Sequence, residues 1–146
     1  MQIRTMNILD YDAVHQLWLD TPGMGLNDVD DAPVGIERFL NRNPHTCFVA
    51  VAQGRVIGAI LAGHDGRRGY IYHTAVAARR RGQGVGRALV DAALNALKDE
   101  GICKVALVAF ARNDGGNAFW AKCGFDARGD LVYRNRALRP LVRRDT

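Results

Sequence analysis

Arg81, Gly82, Gln83, Gly84, Val85, Gly86 and Arg87 stand where an apolar stretch at 70–76 gives way to a helical pattern. Three glycines at alternate positions let backbone N–H groups turn toward one point. The helix that follows adds unsatisfied N–H donors and a partial positive charge. Strand, glycine loop and helix N-terminus together form a site for a phosphate or pyrophosphate. Rival loops fit less well. A dinucleotide fingerprint counted from Gly82 or Gly84 needs a third glycine where Arg87 or Leu89 stands. The Gly-Lys-Ser/Thr of a kinase-type loop is absent. A turn that merely caps a buried helix is the plainer alternative, and the arginines within the loop favour the anion.

The elements that must position this loop follow from periodicity. The pattern predicts a strand over 3–6 and a helix over 11–19, capped by Asp10, with Val14, Leu17 and Trp18 on one apolar face. Residues 26–33 read as loop, and 34–40 as a second helix with Ile36, Phe39 and Leu40 inward. Strands at 46–52, 55–63 and 69–76 make an antiparallel meander, with Gln53-Gly54 as a tight hairpin turn. Val85, Leu89, Ala93 and Leu97 recur at helical spacing, and Gly101 is the expected C-cap. The run 103–110 reads as a central buried strand. A short helix at 113–122 and a returning hairpin at 127–138 complete the chain.

A chain of 146 residues, 48% hydrophobic and 24% charged, is expected to form one soluble globular domain. No apolar run approaches a membrane span, and the first residues lack a signal peptide's apolar core, so the cytoplasm is the expected compartment. Cys47, Cys103 and Cys123 have neither metal-ligand nor disulfide spacing, and Cys47 and Cys103 are expected to be buried. His15, His45, His64 and His73 form no metal motif, so no metal is expected. The net charge of +5 gathers at Arg79, Arg80, Arg81 and Arg87 and in an arginine-rich tail. No stacking aromatics accompany it, which argues against nucleic acid. The tail arginines read as solvated.

The spacing Arg-x-x-Gly-x-Gly (Arg81, Gly84, Gly86) resembles the coenzyme A pyrophosphate loop of the GNAT superfamily of acyl-CoA-dependent N-acyltransferases. The predicted order β-α-α-β-β-β-α-β-α-β-β is similar to that family over nearly the whole chain. The segments Gly63-His64-Asp65-Gly66-Arg67-Arg68-Gly69 and Leu26-Asn27-Asp28 resemble a small bacterial subgroup. The resemblance implies a single domain over 1–146 with an α+β fold. Its central sheet would be mixed but mostly antiparallel, of about seven strands splayed between the fourth and fifth, with about four flanking helices. Coenzyme A would lie in the gap.

Carried over residue by residue, the resemblance gives backbone atoms of Ala75, Val76 and Ala77 to the pantetheine arm. It gives the N–H groups of Gln83, Gly84, Val85 and Gly86, in the loop begun by Gly82, to the pyrophosphate. Arg81 would lie alongside it and Arg87 would assist. Asn113 and Asn117 match asparagines placed against the coenzyme, although a plain N-cap also explains Asn113. The Val76 N–H resembles the oxyanion donor. Trp120 holds the position of the usual tyrosine acid, and an indole N–H donates a hydrogen bond but no proton near neutral pH. Tyr72 holds the position of a glutamate base. It could orient the amine or act as an acid. His73 has a suitable pKa, but strand alternation sends Tyr72 and His73 to opposite faces. The resemblance favours Tyr72, and deprotonation through water stays open. Asp28, Asp30 and Asp31 could attract a cationic amine, or be merely solvated. Trp18 and Met24 could floor the acceptor pocket, with a core role the alternative for Trp18.

The implied activity is transfer of acetyl from acetyl-CoA to a primary amine of a small molecule or peptide, by direct attack in a ternary complex. The missing Tyr and Glu leave a non-catalytic acyl-CoA sensor open, and the basic tail leaves open an acyltransferase acting on aminoacyl-tRNA. Homodimers are common among similar proteins.

Overall fold

Three consecutive runs rich in Val, Ile and Ala pair antiparallel as β3 (Phe48–Ala52), β4 (Arg55–His64) and β5 (Gly69–Val76). The computed structural model describes all residues, 1–146. Gln53 and Gly54 both take positive φ (52° and 73°) in the two-residue turn between β3 and β4, the geometry whose twist matches the flanking strands. β1 (Gln2–Thr5) pairs with β3, giving the order β1-β3-β4-β5-β6. β6 (Val105–Ala106) joins β5 in parallel through only two residue pairs, Gly69 with Val105 and Tyr70 with Ala106. From Ile71 onward the outer edge of β5 carries no strand.

Helices cover both faces. α1 (Tyr11–Leu19) and α2 (Pro33–Arg42) enclose one core with Trp18, Ile36 and Val49. α3 (Val85–Asp99) and α4 (Asp114–Lys122) cover the other face, where Leu89, Ala93 and Leu97 of α3 are fully buried. Truncating Leu89 to Ala would cost about 2–5 kcal/mol through lost burial and a cavity. The fold is thus α+β, with four helices, a mostly antiparallel five-stranded sheet and a separate two-stranded sheet.

Four local expectations change. Asp10 does not cap α1. Asn7 caps the single 3-10 turn ahead of it, while Asp10 binds Arg4 through both oxygens (2.8 and 2.9 Å) and accepts from the Asn7 N–H. The stretch expected as loop contains a short strand, β2 (Gly25–Asn27), paired with β7 (Arg143–Asp145). The run 103–110 is not a central strand. Only Val105 and Ala106 pair, and Cys103 is exposed. Its apolar residues instead wall the cleft opened by the divergence of β5 and β6. The hairpin expected at 127–138 is absent. Two residues of β6 offer no edge long enough to template it, and the chain pairs with β2 instead.

Candidate active site

The divergence of β5 from β6 opens a cleft of about 1480 Å³ that runs from the glycine loop to the α1–α2 connection. Hydrogen-bond parity in β5 decides which backbone atoms face it. The Ala77 N–H donates to the Ile57 carbonyl (2.8 Å). Ala77 and Ile57 therefore form a hydrogen-bonded pair. Val76, opposite Gly58, and Thr74, opposite Ile60, fall at non-hydrogen-bonded positions. The N–H groups of Val76 and Thr74 thus point away from β4, into the gap. The Val76 carbonyl accepts from Arg81 Nε (3.3 Å), which leaves the Val76 N–H as the free polar group at the strand's end. Of the three residues expected to offer backbone to this edge, Ala75, opposite Ala59, and Ala77 both turn their N–H groups toward β4, and Ala77 does not line the cleft. Thr74, which no sequence pattern singled out, does.

The loop after β5 is built for close approach. Gly82 and Gly84 have φ of +73° and +83°, and nothing lies within 4 Å of where their Cβ atoms would be. Left-handed backbone and open space together explain glycine at both positions. Gly84 caps α3 without a side-chain bond, and the first helical bond runs from the Ala88 N–H to the Gly84 carbonyl. The N–H groups of Val85, Gly86 and Arg87 are left without intrahelical acceptors. Gly86 serves packing as well, since a Cβ there would meet the Phe119 ring at 3.1 Å. Arg81, Arg87, Trp120 and Asn113 line the same cleft, and the Gln83 side chain turns back to the Arg79 carbonyl. Asn113 caps α4 through the Gly116 N–H (3.0 Å). Asn117 does not reach the cleft, because its amide is spent on the Phe110 and Asn113 carbonyls.

The other end of the cleft overturns the assumption of strict alternation. Ile60 pairs with Thr74 and Ala62 with Ile71, so Leu61 alone stands opposite both Tyr72 and His73. This β-bulge turns two successive side chains to one face. Ile71 packs toward α3. Tyr72 meets Phe39 of α2, and His73 meets Trp18 of α1, both edge to face. Both therefore line the cleft. Two large polar aromatics in succession were the available signal. Burial, then Asp30 and Tyr133, raise the Tyr72 hydroxyl above its usual value of 10, so it stays a protonated donor. His73 Nε2 lies 2.6 Å from Asp31 Oδ1. Asp31 Oδ2 accepts from the Asn27 N–H (2.8 Å), and the Asp31 carbonyl accepts from the Tyr11 hydroxyl (2.6 Å).

The three loop carboxylates part company. Asp28 accepts from the Val142 N–H (2.7 Å) and lies off the cleft. Asp31 is buried against His73, and Asp30 remains on the cleft wall. Trp18 does not floor the pocket. It is fully buried in the core, with its indole N–H unpartnered. Met24 does line the cleft. The Cys123 thiol is raised by burial, and the buried Cys47 thiol is pushed up to about 12. No three His, Cys, Asp or Glu side chains are grouped to hold a metal ion. No helix is long and apolar enough to cross a membrane.

The model of the acetyltransferase (GNAT) family matches residues 11–125. The chain belongs to the GNAT family. An acetyltransferase of Sodalis glossinidius is 30% identical over 138 residues, covering 94% of this chain and 96% of the relative. Ard1 from Thermoplasma volcanium superposes with a TM-score of 0.71 at 23% identity, over 88% of this chain and 84% of that one. The protein AAC(6′)-Iy, solved with a CoA-containing bisubstrate analogue, gives 0.69 at 22% identity, over 93% and 98%. This GNAT protein is thus an acetyltransferase by family.

Proposed function

We propose that the protein transfers acetyl from acetyl-CoA to a primary amine of a small molecule or peptide, by direct attack within a ternary complex. One observation carries this reading: the open outer edge of β5 at Thr74–Val76 leads straight into the glycine loop and the uncapped start of α3. A pantetheine arm laid along that edge can pair with the strand as an added one would. Its pyrophosphate then meets the N–H groups at 84–87 and the guanidinium of Arg81. The Val76 N–H is left to stabilise the thioester oxygen as the amine nitrogen attacks the carbonyl carbon.

The C–S bond breaks with its electron pair going to sulfur, coenzyme A departs as the thiolate, and the amine's proton must go elsewhere. Tyr72 is held protonated, which fits it to orient the amine rather than to accept a proton. The His73–Asp31 pair stands on the same wall, and we assign proton uptake to His73 Nδ1, directly or through water. Trp120 packs against Phe119 and Phe125 and contributes a wall to the coenzyme's site. Asp30 and Met24 flank the acceptor. We place the reaction in the cytoplasm, in keeping with three free cysteines and the absence of a membrane-spanning helix.

Calorimetric titration with acetyl-CoA tests the coenzyme site, and initial velocities against a panel of amines test the order of events. Micromolar binding and intersecting reciprocal plots are expected. Parallel plots would mean a covalent acetyl-enzyme and exclude direct attack.

A further inference from the structure

Beyond Tyr72 the cleft continues into a second pocket of about 540 Å³, sharing Phe39, Arg42, Tyr70 and Tyr72 with the first. Arg42, Arg68 and Lys104 line it and form no ion pair. The Arg68 guanidinium has only the neighbouring Arg67 carbonyl, at 3.4 Å. The one carboxylate on this wall, Asp65, is committed to its own turn, where Oδ1 accepts from the Arg67 and Arg68 N–H groups (both 2.8 Å). His64 is paired with Glu100 (2.9 Å). Three cations, from α2, the β4–β5 turn and the residue before β6, thus share the pocket with one carboxylate, which leaves it net positive. Asp30, by contrast, lines the first cleft and not this pocket.

The pocket's wall is specifically shaped. Gly63 is required there, since a Cβ would fall 2.6 Å from Asn43 Nδ2 and 2.8 Å from the Phe39 ring. The segment Gly63–Gly69, which the transfer chemistry leaves unused, therefore supplies both the close approach and Arg68. Tyr70 stands beside Tyr72 on the pocket wall, with ring centroids 4.7 Å apart and planes tilted by 45°.

We infer that this pocket selects the acceptor: an amine bearing an oxyanion, a carboxylate or a phosphate, with a flat or apolar body between the two groups. The inference rests on the acyltransferase reading above. Strand rise sets the reach. Gly69 to Tyr72 spans roughly 10 Å at about 3.3 Å per residue, the amine-to-carboxylate length of a short peptide or an ω-amino acid. The acidic wall at Asp30 takes the ammonium, and the basic wall at Arg42, Arg68 and Lys104 takes the anion.

The test is equilibrium binding and turnover of a tripeptide, Gly-Gly-Phe, against its C-terminal amide, with 6-aminohexyl phosphate and 6-aminohexanol as the phosphate arm. The protein carries bound CoA in the binding runs, and a separate acetyl-CoA titration reports on the coenzyme site alone. The acid form of at least one pair is expected to bind about tenfold more tightly, as two or three exposed charge contacts allow. The pair that shows the preference identifies carboxylate or phosphate. Arg68→Ala with Lys104→Ala should erase that preference, and so should the charge reversal Arg68→Glu, with acetyl-CoA affinity as in the wild type. Equal affinity of acid and neutral forms, no binding of either, or a preference that survives both variants overturns the inference. Failure of acetyl-CoA to bind would strike the acyltransferase reading instead, while the acid-against-amide comparison still decides the pocket.

Discussion

The two ends of the cleft are built on opposite plans. At the end proposed for the coenzyme, residues 82–87 offer backbone N–H groups made available by one local conformation. At the end proposed for the acceptor, Tyr72 and His73 of β5 meet Phe39 of α2, Trp18 of α1 and Asp31 of the α1–α2 connection. That connection is clamped in turn by residues 142–146. The contrast teaches that a site made of consecutive main chain is robust to the rest of the fold. A site made of converging side chains depends on every element that delivers one.

Gly84→Glu is the strongest way to break the first end alone. A carboxylate placed before the pyrophosphate costs several kcal/mol, so acetyl-CoA affinity should fall about a thousandfold. A Cβ at this position has no atom within 4 Å, so thermal unfolding should register mainly the strain of a left-handed non-glycine residue, about 1–2 kcal/mol. Unaltered affinity in the folded variant would remove the loop from the coenzyme site.

His73→Ala addresses the second end. Loss of a positioned proton acceptor should lower kcat about a hundredfold, while a calorimetric titration with acetyl-CoA gives the wild-type constant. A change in coenzyme affinity of similar size would show that the two ends are not separable. Tyr72→Phe should have a smaller effect, about tenfold in kcat/KM for the loss of one hydrogen bond. The sign of its pH dependence follows from the raised hydroxyl. The protonated phenol is present below its usual value of 10 and is lost only as pH rises through the raised one. Any decline due to Tyr72 therefore belongs to the alkaline side, above pH 10, and should vanish from the profile of the phenylalanine variant.

Asp10→Asn lies outside both ends and should leave their kinetics alone. It removes the paired carboxylate that joins β1 to the turn before α1, at about 1–2 kcal/mol. Arg4 holds Asp10 below its ordinary value of 3.8, so the contribution is present above that value and lost as pH falls through the lowered one. The difference in denaturation midpoint between variant and wild type should close in strong acid.

What was legible in the chain followed from short-range physics. The α1 boundaries, the Gln53-Gly54 turn, β5 and the start of α3 each depend on residues within a few positions, and the apolar periods of α1 and α3 name their buried faces. Where the reading failed, the cause was a partner in another element. Asp10 looked like a cap until Arg4 claimed it. The apolar run at 103–110 looked doubly buried, but its residues wall a cleft. Tyr72 and His73 looked opposed because alternation was applied across a bulge that only the pairing with β4 reveals.

By itself, then, the sequence determined the strand, glycine loop and helix that suit a pyrophosphate, because φ preference and helix-end polarity are properties of consecutive residues. Only the tertiary structure decided which side chains share the acceptor wall. Strand register, the bulge opposite Leu61 and the docking of Asp31 on His73 are settled by contacts between segments up to 42 positions apart. No local preference encodes that geometry.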